Sequence, residues 1–311
     1  MQKPQVVNVV LFDAFSNHCL ANAIEPLRAA NTLSRRMLYE WRFFTLDGEP
    51  VASSSGLLIT PHGSIADARG DVVVVMPSYD FRTHATWETA RRLKAAARRH
   101  THVAGLDTGS WLLADAGLLD GHQATIHWEE LVGFEEAFPE VQVQRERFVI
   151  DRDRTTCSGA MATFDLVLHQ ITAAHGPLLA MEVRQLFMSL GDVGTVGTIR
   201  NPSGRLVQRA IDVMQENLEE PLLLAQVARK IGCTQRVLEQ KMRREMKTTP
   251  QAVYRRLRLA LARKLVQESD LPIAEIAGRC GYENASAMTR AFRGQFAVSP
   301  RRLRAQFDSM S

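Results

Sequence analysis

Long apolar runs are absent from this sequence. The N-terminal VVNVVLF is interrupted by Asn8 and followed by Asp13, and nothing approaches the roughly 20 apolar residues that a membrane-spanning helix requires. The expectation is a soluble, cytoplasmic chain with no membrane partner. Cysteine is sparse as well. Cys19, Cys157, Cys233 and Cys280 stand far apart, with neither the spacing of a metal site nor the density of a disulfide framework, so reduced thiols are expected. No carboxylate or thiol completes a familiar metal pattern around His100 and His102 or around His122 and His127. A glycine-rich phosphate loop is missing too: Gly191, Gly194 and Gly197 lie in a stretch without a following helix signature. Neither a metal nor a cofactor is expected.

Acidic charge is short at one end only. From residue 200 onward 21 Lys/Arg face 11 Asp/Glu, a net +10, while the preceding residues carry 17 against 23, a net −6. The overall +4 of the 311 residues hides a basic C-terminal region joined to an acidic one, as phosphate contact at one end requires. With 45% hydrophobic residues the chain can bury two ordinary cores.

The most informative segment is present twice. Ala225 to Arg255 and Ala274 to Leu303 share one pattern: Val227, Ala228 and Gly232 match Ile276, Ala277 and Gly281 at an offset of 49, and Leu238, Met242, Met246 and Pro250 match Met288, Phe292, Phe296 and Pro300 at 50. The second copy has one more residue in its turn. Helical periodicity, Gly at the break, then a second periodic stretch ending before Ser/Thr-Pro is the layout of a helix-turn-helix. The intervening TPQAVYRRLRLALARKLVQESD predicts a linking helix with Val253, Leu257, Leu261 and Leu265 on one face.

This pattern, above all AEIAGRCGYENASAMTRAFRGQFAVSP, resembles the AraC/XylS family of transcriptional regulators over residues 205 to 307. Thr234 is expected to cap the first recognition helix and touch a phosphate, and helical spacing turns Arg236, Glu239, Gln240 and Arg243 outward, with Leu238 and Met242 inward. The resemblance implies base reading at those four outward positions. Gln suits adenine where Arg suits guanine, so Gln240, at a position where relatives often carry Arg, implies a different base preference. In the second unit Asn284 starts the helix and Ala285, Ser286, Thr289 and Arg290 face out. These side chains are small apart from Arg290, which points to phosphate and shape contacts there.

The first 190 residues alternate strand and helix patterns. VVNVVLF, WRFFTLD, DVVVVMP, THVAGLD and RFVIDRD are strand candidates, and helices are predicted near 18–33, 86–100, 110–117, 128–138 and 159–174. The Val72 to Val75 run suits a sheet buried on both faces, so a mostly parallel α/β three-layer sandwich is expected, with ligands beyond the strand ends near Phe12, Pro77 and Asp107. The predicted division is a domain over 1–190, a glycine-rich linker over 191–204, and the DNA-binding domain over 205–311.

GLDTGSWLLADAGLLDGHQATIHW places Asp107 at a strand-to-helix elbow. It resembles the class I glutamine amidotransferase-like domain of the PfpI type, which is fused to AraC-type domains in the GlxA-like subgroup. In enzymatic relatives the elbow holds a Cys nucleophile, assisted by His and near a Glu. Here Asp107 replaces it, while His127 and Glu25 stand at matching positions, so no enzymatic activity is expected. Asp107 has a second reading as a cap on the helix through the amides of residues 108 to 110. Phe15, Trp111 and Trp128, with Phe12, are the aromatic candidates for a cation site beside Asp107 and Glu25.

The resemblance implies a ligand-responsive activator of catabolic genes that binds operator DNA as a homodimer and acts on RNA polymerase. Its subgroup includes sensors of quaternary amines and of amino acids, so a small cationic or zwitterionic inducer is expected. Two alternatives stay open: an amidase- or hydrolase-like enzyme with a DNA-binding tail, and a constitutive regulator whose α/β domain only dimerises.

Overall fold

The computed structural model describes residues 3–187 and 202–308. The chain divides after Ala174 into two compact units.

The first unit is built on a six-stranded sheet in the order β2-β1-β5-β6-β10-β9. β1 (Gln5–Leu11), β2 (Tyr39–Phe44), β5 (Val72–Met76), β6 (His102–Leu106) and β10 (Arg154–Cys157) run parallel, and β9 (Phe148–Asp151) pairs antiparallel to β10. Two small ribbons flank it: β3 (Val51–Ala52) with β4 (Leu58–Ile59), and β7 (Gln123–Ala124) with β8 (Gln142–Val143). α1 (Asn17–Ser34), α2 (Trp87–Ala97), α3 (Gly109–Asp115) and α4 (Leu131–Ala137) lie between strands, and α5 (Ala160–His175) follows the last strand. Val73 to Met76 are all buried, as a strand covered on both faces requires. The mostly parallel α/β sheet is thus as the sequence predicts. β10, whose Arg154-Thr-Thr-Cys has no apolar run, was not legible.

The second unit is helical. It opens with α6 (Pro177–Phe187), inside the stretch that the sequence reading gave to the first domain; α6 packs instead on helices of the C-terminal half because Leu178 and Met181 join their core. α7 (Pro202–Gln215) begins within the predicted 191–204 linker, and the rest of that linker, residues 191–201, lies outside the described residues. α8 (Leu224–Lys230) with α9 (Gln235–Met246), and α11 (Ile273–Arg279) with α12 (Ala285–Phe296), form the two helix-turn-helix pairs. α10 (Pro250–Glu268) links them, and α13 (Pro300–Asp308) ends the unit.

The sequence repeat is a structural repeat. Gly232 and Gly281 both take positive φ, +77° and +68°, in the turns, and the cap residues Lys247 and Ala297 are left-handed at 54° and 53°. Each copy has its own core: Leu238, Met242 and Met246 in the first, Met288, Phe292 and Phe296 in the second. The linking helix differs from expectation. It serves the first core with Val253, Tyr254 and Leu257 and the second with Leu259, Ala262 and Val266, so Leu261 and Leu265 are only partly buried. One helix touching two bodies needs two stripes, not one.

Candidate functional site

The elbow between β6 and α3 builds the site in the first unit. Asp107 has φ +60°, a conformation that costs a non-glycine residue about 1–3 kcal/mol. Its surroundings hold it there. Gly109 lies so close to β5 that a Cβ would come within 2.1 Å of the Val75 carbonyl oxygen, so the glycine two residues after Asp107 is a packing requirement. The amide of His127 donates to the Asp107 carbonyl oxygen at 3.1 Å, and Thr108 Oγ1 donates to the Ser78 carbonyl at 3.0 Å.

The Asp107 carboxylate is 9% exposed at the residue level and accepts a 2.8 Å hydrogen bond from Ser78 Oγ. Burial pushes its pKa up, against the Ser78 hydrogen bond and the nearby His127 imidazole, which pull it down. Among the described residues no amide of α3 donates to its side chain, so the capping alternative is not realised; the elbow aims the carboxylate away from the helix start.

A cleft of about 420 Å³ opens above it, lined by residues 78–83 after β5, by Asp107 and Thr108, and by His127, Glu129 and Glu130. Asp80, Asp107, Glu129 and Glu130 put four carboxylates in its wall against Arg82 and His127. Two of the three anticipated strand ends therefore meet here; Phe12 instead is buried and packs on His84 at 5.1 Å.

The structure brings Asp107 and His127 together and leaves the other expected ligand residues outside the lining. Glu25 is on an outer turn of α1, paired with Arg28 at 2.7 Å. Phe15 is fully buried, because the chain turns inward there to start α1 from Ser16. Trp111 packs among Phe81, Phe134 and Phe138, and Arg82 covers its ring at 4.5 Å, so a guanidinium of the chain itself already uses that face. Trp128 is 69% exposed, with its ring 5.9 Å from that of His127. Ser78, Asp80, Arg82, Glu129 and Glu130 were missed, although PSYDFR after the valine strand and EE after His127 carry the polar signal. His122 bonds Asp151 at 3.1 Å and His100 bonds Asn8 at 2.9 Å, ordinary structural pairings for both.

In the second unit Thr234 and Asn284 cap α9 and α12, accepting from the amides of Val237 and Ala287 at 3.3 and 2.8 Å. Arg236, Gln240, Arg243, Ser286 and Arg290 are exposed. Glu239 is half-buried and accepts a 2.8 Å hydrogen bond from Gln235, while Ala285 and Thr289 are half-buried, Ala285 against the second core. Arg258 of α10 donates to the Cys280 carbonyl at 2.7 Å and to the Gly281 carbonyl at 2.5 Å, and lies 4.1 Å over the Tyr282 ring, which ties the second turn to the linking helix.

A parallel sheet with an elbow site, followed by two capped helix-turn-helix pairs, defines a DNA-binding regulator with an α/β partner domain. The family model described as DJ-1/PfpI family matches residues 7–173, and the one described as helix-turn-helix domain matches residues 227–306. The chain belongs to the DJ-1/PfpI family over residues 7–173 and, with its helix-turn-helix region, to the AraC family of HTH-type transcriptional regulators. It is 35% identical to the HTH-type transcriptional regulator GbdR of Pseudomonas aeruginosa, over 96% of this chain and 84% of that one. Identity to the HTH-type transcriptional regulator CdhR of the same species is 36%, over 95% and 90%. A crystal structure of an AraC family transcriptional regulator from Pseudomonas putida superposes with a TM-score of 0.53 at 27% identity, covering 60% of this chain and all of that one. Among the described residues no helix is long and apolar enough to cross a membrane.

Proposed function

We propose that this regulator responds to a small cationic or zwitterionic metabolite bound in the cleft at Asp107. The observation that carries the reading is a buried carboxylate, held in a left-handed elbow by Ser78 and facing a cleft whose wall is mostly acidic. Burial makes an unpaired Asp107 anion costly, and a desolvated cation supplies the missing partner. Glu25, Phe15, Trp111 and Trp128 take no direct part in this version of the site; Trp111 acts by seating Arg82.

The elbow carries a carboxylate where the enzymatic relatives carry a thiol, which supports a sensor without turnover. The thiols nearest in the fold are poor substitutes. Cys19 and Cys157 are buried, each within hydrogen-bond reach of Thr163 Oγ1, and burial pushes Cys157 up to about 11 and Cys19 well above its ordinary value.

On the DNA side Arg236, Gln240 and Arg243 read bases, with Thr234 at the phosphate. Asn284, Ser286, Thr289 and Arg290 contact the backbone, and Ala285 and Glu239 shape the surface. In this reading the protein works in the cytoplasm as a homodimer on paired operator half-sites and activates catabolic genes through RNA polymerase. Calorimetry of the full chain against quaternary amines, basic amino acids and simple carboxylates tests the ligand class. Binding of a cation that Asp107→Asn abolishes is expected. Binding of simple anions only, or turnover of any compound that Asp107→Asn removes, would overturn the reading.

A further inference from the structure

α6 carries one acidic residue, and that residue is buried. Glu182 is 7% exposed; its Oε1 accepts from Arg256 Nε at 2.5 Å and its Oε2 from Arg256 Nη2 at 3.0 Å. The charge of Arg263, two turns further along the same face of α10, also bears on it. On the same helix Leu178 and Met181 pack against the core shared by α7, α8, α9 and the first half of α10. Leu179, Ala180 and Val183 are buried as well.

A buried carboxylate is costly unless its partner meets it with good geometry, and the two-pronged contact from Arg256 does so. Apolar contacts alone would tolerate a slide of one helix along another. A buried bidentate pair permits one register.

α6 also touches α9, the first recognition helix, on whose inner side Leu238 and Met242 face the same core. In the other direction it is the direct continuation of α5 through Gly176, at φ +89°. α5 starts at Ala160, next to Gly159, where a Cβ would lie 3.3 Å from the His127 ring of the cleft. In sequence, a single residue, Gly176, stands between α5 of the first unit and α6 of the second.

We propose that α6 is a positioning element of the DNA-binding unit, locked to α10 by the Glu182–Arg256 pair, and that this lock sets how the first recognition helix meets DNA. Its role in passing on the state of the cleft rests on the functional reading above; its role in DNA affinity does not. Because the lock is intrinsic to the second unit, it acts in the absence of any inducer.

The test uses the full chain and a duplex that the unaltered protein selects from a random pool. Hydrogen exchange reports whether α6 is docked, and titration gives the affinity. In the unaltered protein the amides of residues 179–187 should be protected to a degree similar to those of α10. Glu182→Gln strands the Arg256 charge; it should raise exchange in α6 and weaken DNA binding by about tenfold. Arg256→Lys, which keeps the charge and loses the two-pronged contact, should give a smaller loss of both. Glu182→Met with Arg256→Met removes both charges and should restore docking and most of the affinity. An unprotected α6 in the unaltered protein overturns the proposal whatever the variants do. So does faster α6 exchange with affinity within about twofold, or weaker binding with α6 still protected. Should Glu182→Gln not fold, Arg256→Lys and the double variant decide by the same two readouts. Failure to select any duplex counts against DNA reading by this protein and leaves the docking of α6 to be judged by exchange.

Discussion

Ser78 donates its hydroxyl to Asp107 at 2.8 Å and in turn accepts the amide of Ser16 at 2.9 Å. One side chain thereby ties the loop after β5 to the elbow after β6 and to the start of α1. The price is a carboxylate held where water is scarce.

That price is measurable as stability. Burial raises the folded-state pKa of Asp107 above its ordinary 3.8, so the folded chain binds its proton more tightly than the unfolded one. Stability from this group is greatest below 3.8 and falls as pH rises through the raised folded value. Asp107→Asn keeps an acceptor for Ser78 and removes the charge. It should raise Tm at pH 7, by a margin that shrinks as the pH approaches 3.8. A pH series of melting curves checks this, and a variant less stable than the parent at neutral pH would contradict it.

Arg243→Ala and Arg236→Ala should each weaken binding to the selected duplex by about 1–3 kcal/mol while changing affinity for random DNA less. Glu239, already held by Gln235, should matter less: Glu239→Ala is expected to stay within about 0.5 kcal/mol. Equal losses on specific and random DNA would identify the arginines as phosphate contacts.

Tyr254 links the α10 helix to the loop before α8: its hydroxyl donates to the Asn217 carbonyl at 2.6 Å and accepts the Leu222 amide at 3.1 Å. Tyr254→Phe leaves both backbone groups without this partner. Chemical denaturation should show a loss of about 1–3 kcal/mol. No measurable loss would mean that water replaces the hydroxyl.

The two turn glycines should respond unequally. At Gly232 a Cβ meets nothing within 4 Å, so Gly232→Ala pays only for its left-handed backbone, about 1–2 kcal/mol. At Gly281 the same atom would sit 2.6 Å from the Leu218 carbonyl oxygen and 2.4 Å from Pro221. Gly281→Ala should therefore destabilise more than Gly232→Ala in the same denaturation experiment. Equal effects would contradict the tight seat of the second turn.

The repeat was legible because it is local: a helix-turn-helix is set by periodicity, a turn glycine and a capping residue within about 25 residues, and Thr234, Gly232, Asn284 and Gly281 all take those roles. The parallel sheet was legible for the same reason, since Val72 to Val75 and the helical stripes between strands report burial by composition. The elbow at Asp107 followed from one strand running into one helix.

What the sequence by itself did not decide is which distant residues share a surface. Glu25 and Phe15 match a family position or an aromatic pattern, yet α1 turns Glu25 outward to Arg28, and Phe15, just before the helix, is fully buried. Ser78, Asp80, Arg82, Glu129 and Glu130 reach the cleft because β5 and β6 are neighbours in the sheet and the loop after His127 folds back over them, relationships that span tens of residues. The place of α6 is of the same kind. Its amphipathic pattern fits either unit, and it is the packing of Leu178 and Met181 on the C-terminal core together with the buried meeting of Glu182 with Arg256, 74 positions away, that assigns it to the second. Local propensity determines elements; the burial of side chains against partners far along the chain determines sites.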